Sequence, residues 1–140
     1  MREPRWIDPR ALLLLHSASL AEHGGPEGVR DESVLASALE RPRNKLGYEP
    51  DYEPDSDICD LAAAYGFGLA RNHPFHDGNK RSAFLAVGLF LALNGYRLIA
   101  DHMEAIQTMV SLAAGQLTEH SFAEWVKQHA ARNDSSLPHE

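Results

Sequence analysis

The chain has 140 residues, with 13 Lys and Arg against 20 Asp and Glu and a formal net charge of −7. That length fits one domain able to bury roughly two thirds of its unfolded surface. The acidic balance argues against a broad nucleic-acid footprint, which needs a basic face. A single cysteine, Cys59, excludes an intramolecular disulfide and suits a reducing compartment; Ile58 and Leu61 beside it suggest a buried small residue rather than a nucleophile. The longest apolar run, Ala83 to Leu93, is about half of what a bilayer requires. Met1-Arg2-Glu3-Pro4-Arg5 lacks the apolar centre of a secretory signal. A cytoplasmic protein without direct nucleic-acid or membrane contact is therefore expected.

In chain order, Asp8-Pro9 predicts an N-cap followed by proline at the first helical position, and Gly24-Gly25 a stop. Leu12, Leu13, Leu15 and Leu20 give this helix a wide apolar face, and His16 on it is expected to be a partly buried or surface residue without a catalytic role. Asp31 caps a second helix, Glu32 to about Glu40, whose buried stripe is Val34, Leu35, Ala38 and Leu39. From Arg41 to Pro54, four residues (Pro42, Gly47, Pro50 and Pro54) predict a break in the helix. Leu46-Gly47-Tyr48 within it suits either a short hairpin or flap, or an ordinary surface loop.

A third helix is expected from about Ser56 or Asp57 to Ala70 or Asn72, apolar enough to be central and packed on more than one side. Gly66 and Gly68 cost it up to ~1 kcal/mol each unless another helix crosses closely there. The next helix, Asn79 to Leu93, is apolar almost all round and is expected to be the core helix, stopped by Asn94-Gly95. Arg97-Leu98-Ile99 is a short extended connector. Asp101 caps a fifth helix to about Ala114, and Thr118 or Ser121 begins a sixth, with Ser121 and Glu124 at capping-box spacing. The whole predicts an all-α domain over residues 1–132, with a polar disordered tail over 133–140.

Between the third and fourth helices stands His73-Pro74-Phe75-His76-Asp77-Gly78-Asn79-Lys80-Arg81. Histidine can take a proton from a hydroxyl, aspartate can hold a divalent cation, and Gly-Asn leaves backbone N–H groups free to face an anion. Lys80 and Arg81 lie in a first helical turn, where cations oppose the macrodipole at up to ~1 kcal/mol each unless an anion is bound. The stretch reads as a phosphate site.

This stretch resembles the signature of the Fic superfamily, His-x-Phe-x-Asp/Glu-Gly-Asn-x-Arg, and lysine after the asparagine resembles the death-on-curing (Doc) toxin branch. The resemblance extends to the helices on both sides and so covers most of the chain. It implies a Fic-like bundle of about six helices around a buried central helix, with a flap beside the site near Arg41–Pro54. It also implies His73 as general base and Asp77 as the Mg²⁺ holder. Gly78 and Asn79 build the anion-binding turn, and Lys80 and Arg81 neutralise the phosphates of ATP. Arg71 is a candidate to orient a phosphate or target hydroxyl, with a surface cation at a helix C-terminus as the alternative. Phe75 is expected to anchor the loop, and His76 has no assigned role.

Two departures from the common Fic pattern bear on the reaction. AMP-transferring members usually carry glycine where this chain has Lys80, and a second arginine where it has Phe84. The Doc branch shares both departures and is held to bind ATP reversed, moving the γ-phosphoryl group to a threonine of elongation factor Tu. The resemblance thus implies a toxin kinase that stops translation, paired with a Phd-like antitoxin whose C-terminal segment covers the site. A Fic-type adenylyltransferase is the runner-up. A metal-dependent phosphohydrolase, suggested by His76-Asp77, requires further ligands from other helices.

Overall fold

Asp8 accepts the Arg10 N–H, Pro9 takes the first helical position, and Gly24 at φ 84° ends α1 (Pro9–His23), as the sequence predicts. The computed structural model of the chain describes residues 3–47 and 52–133. Among these are six helices and one two-stranded sheet, an all-α architecture. α2 (Glu32–Leu46) is capped by Asp31, which accepts from the N–H groups of Ser33 and Val34. The Ser33 hydroxyl, then the Val34 N–H, hold the Asp31 carboxyl below its ordinary range.

The predicted end of α2 at Glu40 is corrected: the helix runs through Pro42 to Leu46. A proline inside a helix costs about 3 kcal/mol through its missing N–H and its clash with the carbonyl four residues back. Here its ring is fully buried, and contacts from other elements hold the last turn. Arg41 Nη2 meets Glu119 at 2.5 Å and its guanidinium lies 4.8 Å over Phe67; Arg43 lies 5.0 Å over Trp6. Of the expected flap, Arg41–Leu46 is therefore helix, Gly47 turns the chain at φ 60°, and 48–51, including Tyr48, lie outside the described residues.

α3 (Pro54–Asn72) starts at Pro54, earlier than the expected Ser56 or Asp57, because that proline occupies the first helical position. It packs against α2, α4 (Asn79–Leu93), α5 (His102–Ala113) and α6 (Glu119–His129) and is the central helix. Its alanines and glycines let the neighbours come close. A Cβ on Gly66 would lie 2.7 Å from Val87 of α4 and 2.8 Å from Phe122 of α6, so the helical cost of glycine there is offset by two close crossings. α4 is less enclosed than its composition suggests. Ala83, Val87, Phe90 and Leu91 are fully buried, whereas Phe84, Leu85 and Leu89 are half-buried.

The connector after α4 is a strand, β1 (Tyr96–Leu98), paired antiparallel with β2 (Ala130–Arg132), and the Asn133 N–H continues the link to Gly95. β2 escaped the sequence reading because Ala130-Ala131-Arg132 has no alternation, and only its distant partner makes it extended. α6 begins at Thr118, whose hydroxyl accepts the Ser121 N–H, so the Ser121–Glu124 spacing is not its cap. Of the predicted tail, 134–140 lie outside the described residues.

Cys59 is buried in this core at 6 % exposure, and burial pushes its thiol pKa up to about 11 from an ordinary value of 9.0. The folded state keeps a proton that the unfolded chain releases first, so this residue's contribution is complete below pH 9 and falls between pH 9 and 11. Cys59→Ala is expected to remove that alkaline loss, on the order of 2 kcal/mol, from a series of urea midpoints taken from pH 8 to 11. Identical slopes in both proteins would refute it.

Candidate active site at the N-terminus of α4

α3 hands the chain to the motif at His73, which takes the left-handed conformation (φ 51°, ψ 60°) and is the single non-glycine with positive φ among the described residues. Such a conformation costs on the order of 1 kcal/mol and persists where surrounding contacts over-determine it. Those contacts come from the segment between α1 and α2. Arg30 donates from Nη2 to the Asn72 carbonyl (3.0 Å) and from Nε to the His73 carbonyl (2.7 Å). The backbone N–H groups of Arg30 and Asp31 both donate to the Pro74 carbonyl, Val29 bridges Phe75, and the His76 N–H donates to the Gly28 carbonyl.

From the other side, the Asn79 amide spans one residue of the loop. Its Oδ1 accepts the Phe75 N–H at 2.9 Å and its Nδ2 donates to the Phe75 carbonyl at 3.0 Å. The Asn79 side chain thus pins the loop backbone at Phe75 through both of its amide atoms. Phe75 is buried at 1 % exposure with the His16 ring stacked on it, and His16 Nε2 lies 2.8 Å from the Asp77 carbonyl. Gly78 then turns left-handed (φ 76°, ψ 21°) and its N–H donates to Asp77 Oδ1 at 2.8 Å.

α4 therefore starts without a side-chain cap and with no acid in its first turn, while Lys80 and Arg81 stand exposed on that turn. A bare helix N-terminus flanked by two cations favours an anion over a neutral or positive group. It opens into a cavity of about 670 Å³, lined by His73, Asp77, Gly78, Asn79, Lys80 and Arg81 at this end. The other wall is apolar: Phe84 of α4 with Ala105, Ile106, Met109 and Val110 of α5. This wall explains why α4 could look like a fully buried helix, since part of its apolar surface faces a cleft. His23, His76 and His102 complete the lining.

Of the predicted site residues, Arg71 alone is absent from that lining. Its guanidinium lies 5.3 Å over the Phe67 ring and beside Gly115. A second cleft of about 370 Å³ near Arg41 and Lys45 has its cations paired to Glu119. Among the described residues, no group of three or more His, Cys, Asp or Glu lies together as a metal centre. Asp77 is the oxygen donor available to a divalent cation, and one carboxylate suffices for Mg²⁺ where substrate phosphates complete its shell.

Sequence reasoning missed His16, Arg30 and Gly25. Gly25 (φ 122°) was legible as a helix stop, but a Cβ there would collide with Asp77 Oδ2. The glycine is what leaves room for the carboxylate. If Asp77 holds a divalent cation, Gly25→Ala is expected to weaken Mg²⁺-dependent ligand binding about 10-fold by displacing that carboxylate. The fold should lose only about 1–2 kcal/mol, the cost of alanine at positive φ. Calorimetric titration beside thermal unfolding separates the two effects.

Residues 6–91, from before α1 to near the end of α4, match the Fic/DOC family. The chain belongs to the Fic/DOC family. It is 31 % identical over 124 residues to the protein kinase doc of Escherichia phage P1, covering 89 % of this chain and 94 % of that one. It is 43 % identical over 88 residues to the toxin Doc of Mycolicibacterium smegmatis, covering 63 % of this chain and 65 % of that one. Both relatives put it on the Doc branch. In this Doc-branch chain the loop-holding residues His16, Gly25 and Arg30 fall inside the matched segment, together with the whole motif. No described helix is long and apolar enough to cross a membrane.

Proposed function

We propose that this Doc-branch chain is the toxin of a toxin–antitoxin pair. It transfers the γ-phosphoryl group of ATP to a Thr or Ser hydroxyl of a translation factor similar to elongation factor Tu, and so stops translation. The observation that carries the kinase reading over AMP transfer is the position of Phe84. It lies in the cavity wall, where the AMP-transferring pattern has its second arginine, so the cleft's positive charge is concentrated at Lys80 and Arg81. The 31 % identity to a relative named as a protein kinase points the same way.

His73 accepts the proton of the target hydroxyl as that oxygen bonds to the γ-phosphorus, and ADP departs with the electron pair of the broken P–O bond. Lys80, Arg81 and the uncapped N–H groups of α4 stabilise the charge on the transferred group and the leaving oxygen. The residues present fit a Mg²⁺-nucleotide: Asp77 would hold the cation, which supplies charge neutralisation between phosphates. Asn79 and Gly78 keep the turn in shape, and the apolar wall excludes water.

A cognate, Phd-like antitoxin whose C-terminal segment covers the site completes the reading. Met103, Ile106 and Val110, exposed on α5 beside the cavity, offer apolar surface for such a segment. Adenylyltransfer uses the same His73 and Asp77 and is separated by product mass. After incubation of elongation factor Tu with the protein, Mg²⁺ and ATP, intact-mass spectrometry is expected to show a gain of one phosphoryl group. A gain of one AMP would overturn the kinase reading.

A further inference from the structure

His16 is the buried histidine among the described residues, 4 % exposed, and it lies on α1, outside the motif. It touches two residues of the motif loop, Phe75 through its face and Asp77 through its edge. The flat of its ring lies on Phe75, with centroids 3.7 Å apart and planes 12° from parallel. Its edge presents Nε2 to the Asp77 carbonyl at 2.8 Å. The same nitrogen lies 3.6 Å from where a Cβ on residue 78 would sit, which Gly78 leaves open. A carbonyl only accepts, so Nε2 carries the hydrogen and the bond survives in the neutral and the charged imidazole alike.

The peptide bond carries this contact onward. The Asp77 carbonyl and the Gly78 N–H belong to one planar unit, so fixing the oxygen fixes the direction of the N–H. That N–H holds Asp77 Oδ1 at 2.8 Å. The same unit leads into Gly78, whose left-handed turn opens α4.

We infer that His16 is a positioning residue of this site: through Nε2–H it fixes the Asp77–Gly78 peptide plane, and thereby aims the Asp77 carboxylate and the first N–H groups of α4. The inference deepens the proposed phosphoryl transfer and rests on that reading only where binding of nucleotide or transfer is measured.

Two substitutions in the full chain divide the contact. His16→Phe keeps a ring on Phe75 and removes the donor. His16→Gln removes the ring and keeps an amide N–H at about the reach of Nε2. His16→Phe is expected to unfold cooperatively like the parent yet bind Mg²⁺·ATP about 10- to 100-fold more weakly by calorimetry, the loss exceeding that for ATP without Mg²⁺. His16→Gln is expected to recover most of that affinity despite the lost stacking, an order that a packing role would reverse. Parent-like affinity in His16→Phe, or no recovery in His16→Gln, overturns the inference.

If the parent neither binds Mg²⁺·ATP nor transfers phosphate, the proposed function fails and the Gly78 amide signal in ¹H–¹⁵N spectra decides the positioning role. A signal displaced in His16→Phe and restored in His16→Gln supports it; an unmoved signal overturns it. In the unsubstituted chain, independent of any variant's folding, the His16 Nε2 ¹⁵N shift is expected to be that of a protonated nitrogen. A bare Nε2 sinks the idea outright.

Discussion

Replacing His73 by alanine is expected to lower the transfer rate about 10²- to 10⁴-fold, the usual worth of a positioned general base. The fold should survive, because the side chain is exposed and the loop is held through backbone groups: Arg30 on the His73 carbonyl and the Asn79 amide on Phe75. The residue nevertheless sits at positive φ, where alanine is strained. His73→Asn supplies the control, since asparagine tolerates that conformation and cannot accept the proton. Both variants are expected to be similarly inactive in initial-rate assays with elongation factor Tu and ATP. Asparagine retaining activity within tenfold of the parent would mean that the histidine's backbone conformation matters and its imidazole does not.

The largest expected loss of stability comes from α4, the helix that follows the loop carrying His73. Phe90 is fully buried, with its ring 5.1 Å from Tyr65 of α3 and 5.9 Å from Trp6 before α1. The Tyr65 hydroxyl accepts the Ile7 N–H at 3.1 Å, so one cluster ties the N-terminal segment to both central helices. Phe90→Ala removes an aromatic ring from a site closed on several sides and is expected to cost about 3–5 kcal/mol. For a domain of this size that is roughly a 10–15 °C fall in Tm. Urea unfolding should show a lower midpoint with an unchanged slope, because the surface exposed on unfolding stays the same. A cost under about 1 kcal/mol would mean that Trp6 collapses into the space.

The loop that carries His73 leads into α4, and α4 serves two purposes. Its middle and end, through Val87, Phe90 and Leu91, anchor it in the core. Its first turn presents Lys80 and Arg81 to the cavity with no cap and no acid. A site placed on the end of a helix held this firmly loses little precision to backbone motion. The same rigidity makes destabilisation at Phe90 and inactivation at His73 separable by experiment.

The sequence by itself determined the all-α class, α4 from Asn79 to Leu93, and the caps at Asp8, Asp31 and Asp101. It also determined the motif that carries the family. Caps, helical periodicity and a contiguous nine-residue signature are local properties, written within a few turns of chain. Only the tertiary structure decided that Pro42 stays inside a helix, that Ala130–Arg132 is a strand, and that α3 is more enclosed than α4. Each of these turns on a partner far away in sequence, such as Glu119 for Arg41 or Tyr96 for Arg132. The site divides the same way. The motif residues that line the cavity were legible because they are consecutive, whereas His16, Gly25 and Arg30 reach the loop from the far side through one hydrogen bond, one missing Cβ and one pair of carbonyls. Arg71 shows the converse: it is adjacent to the motif in sequence, yet its guanidinium is turned to Phe67 and Gly115 by the direction in which α3 ends.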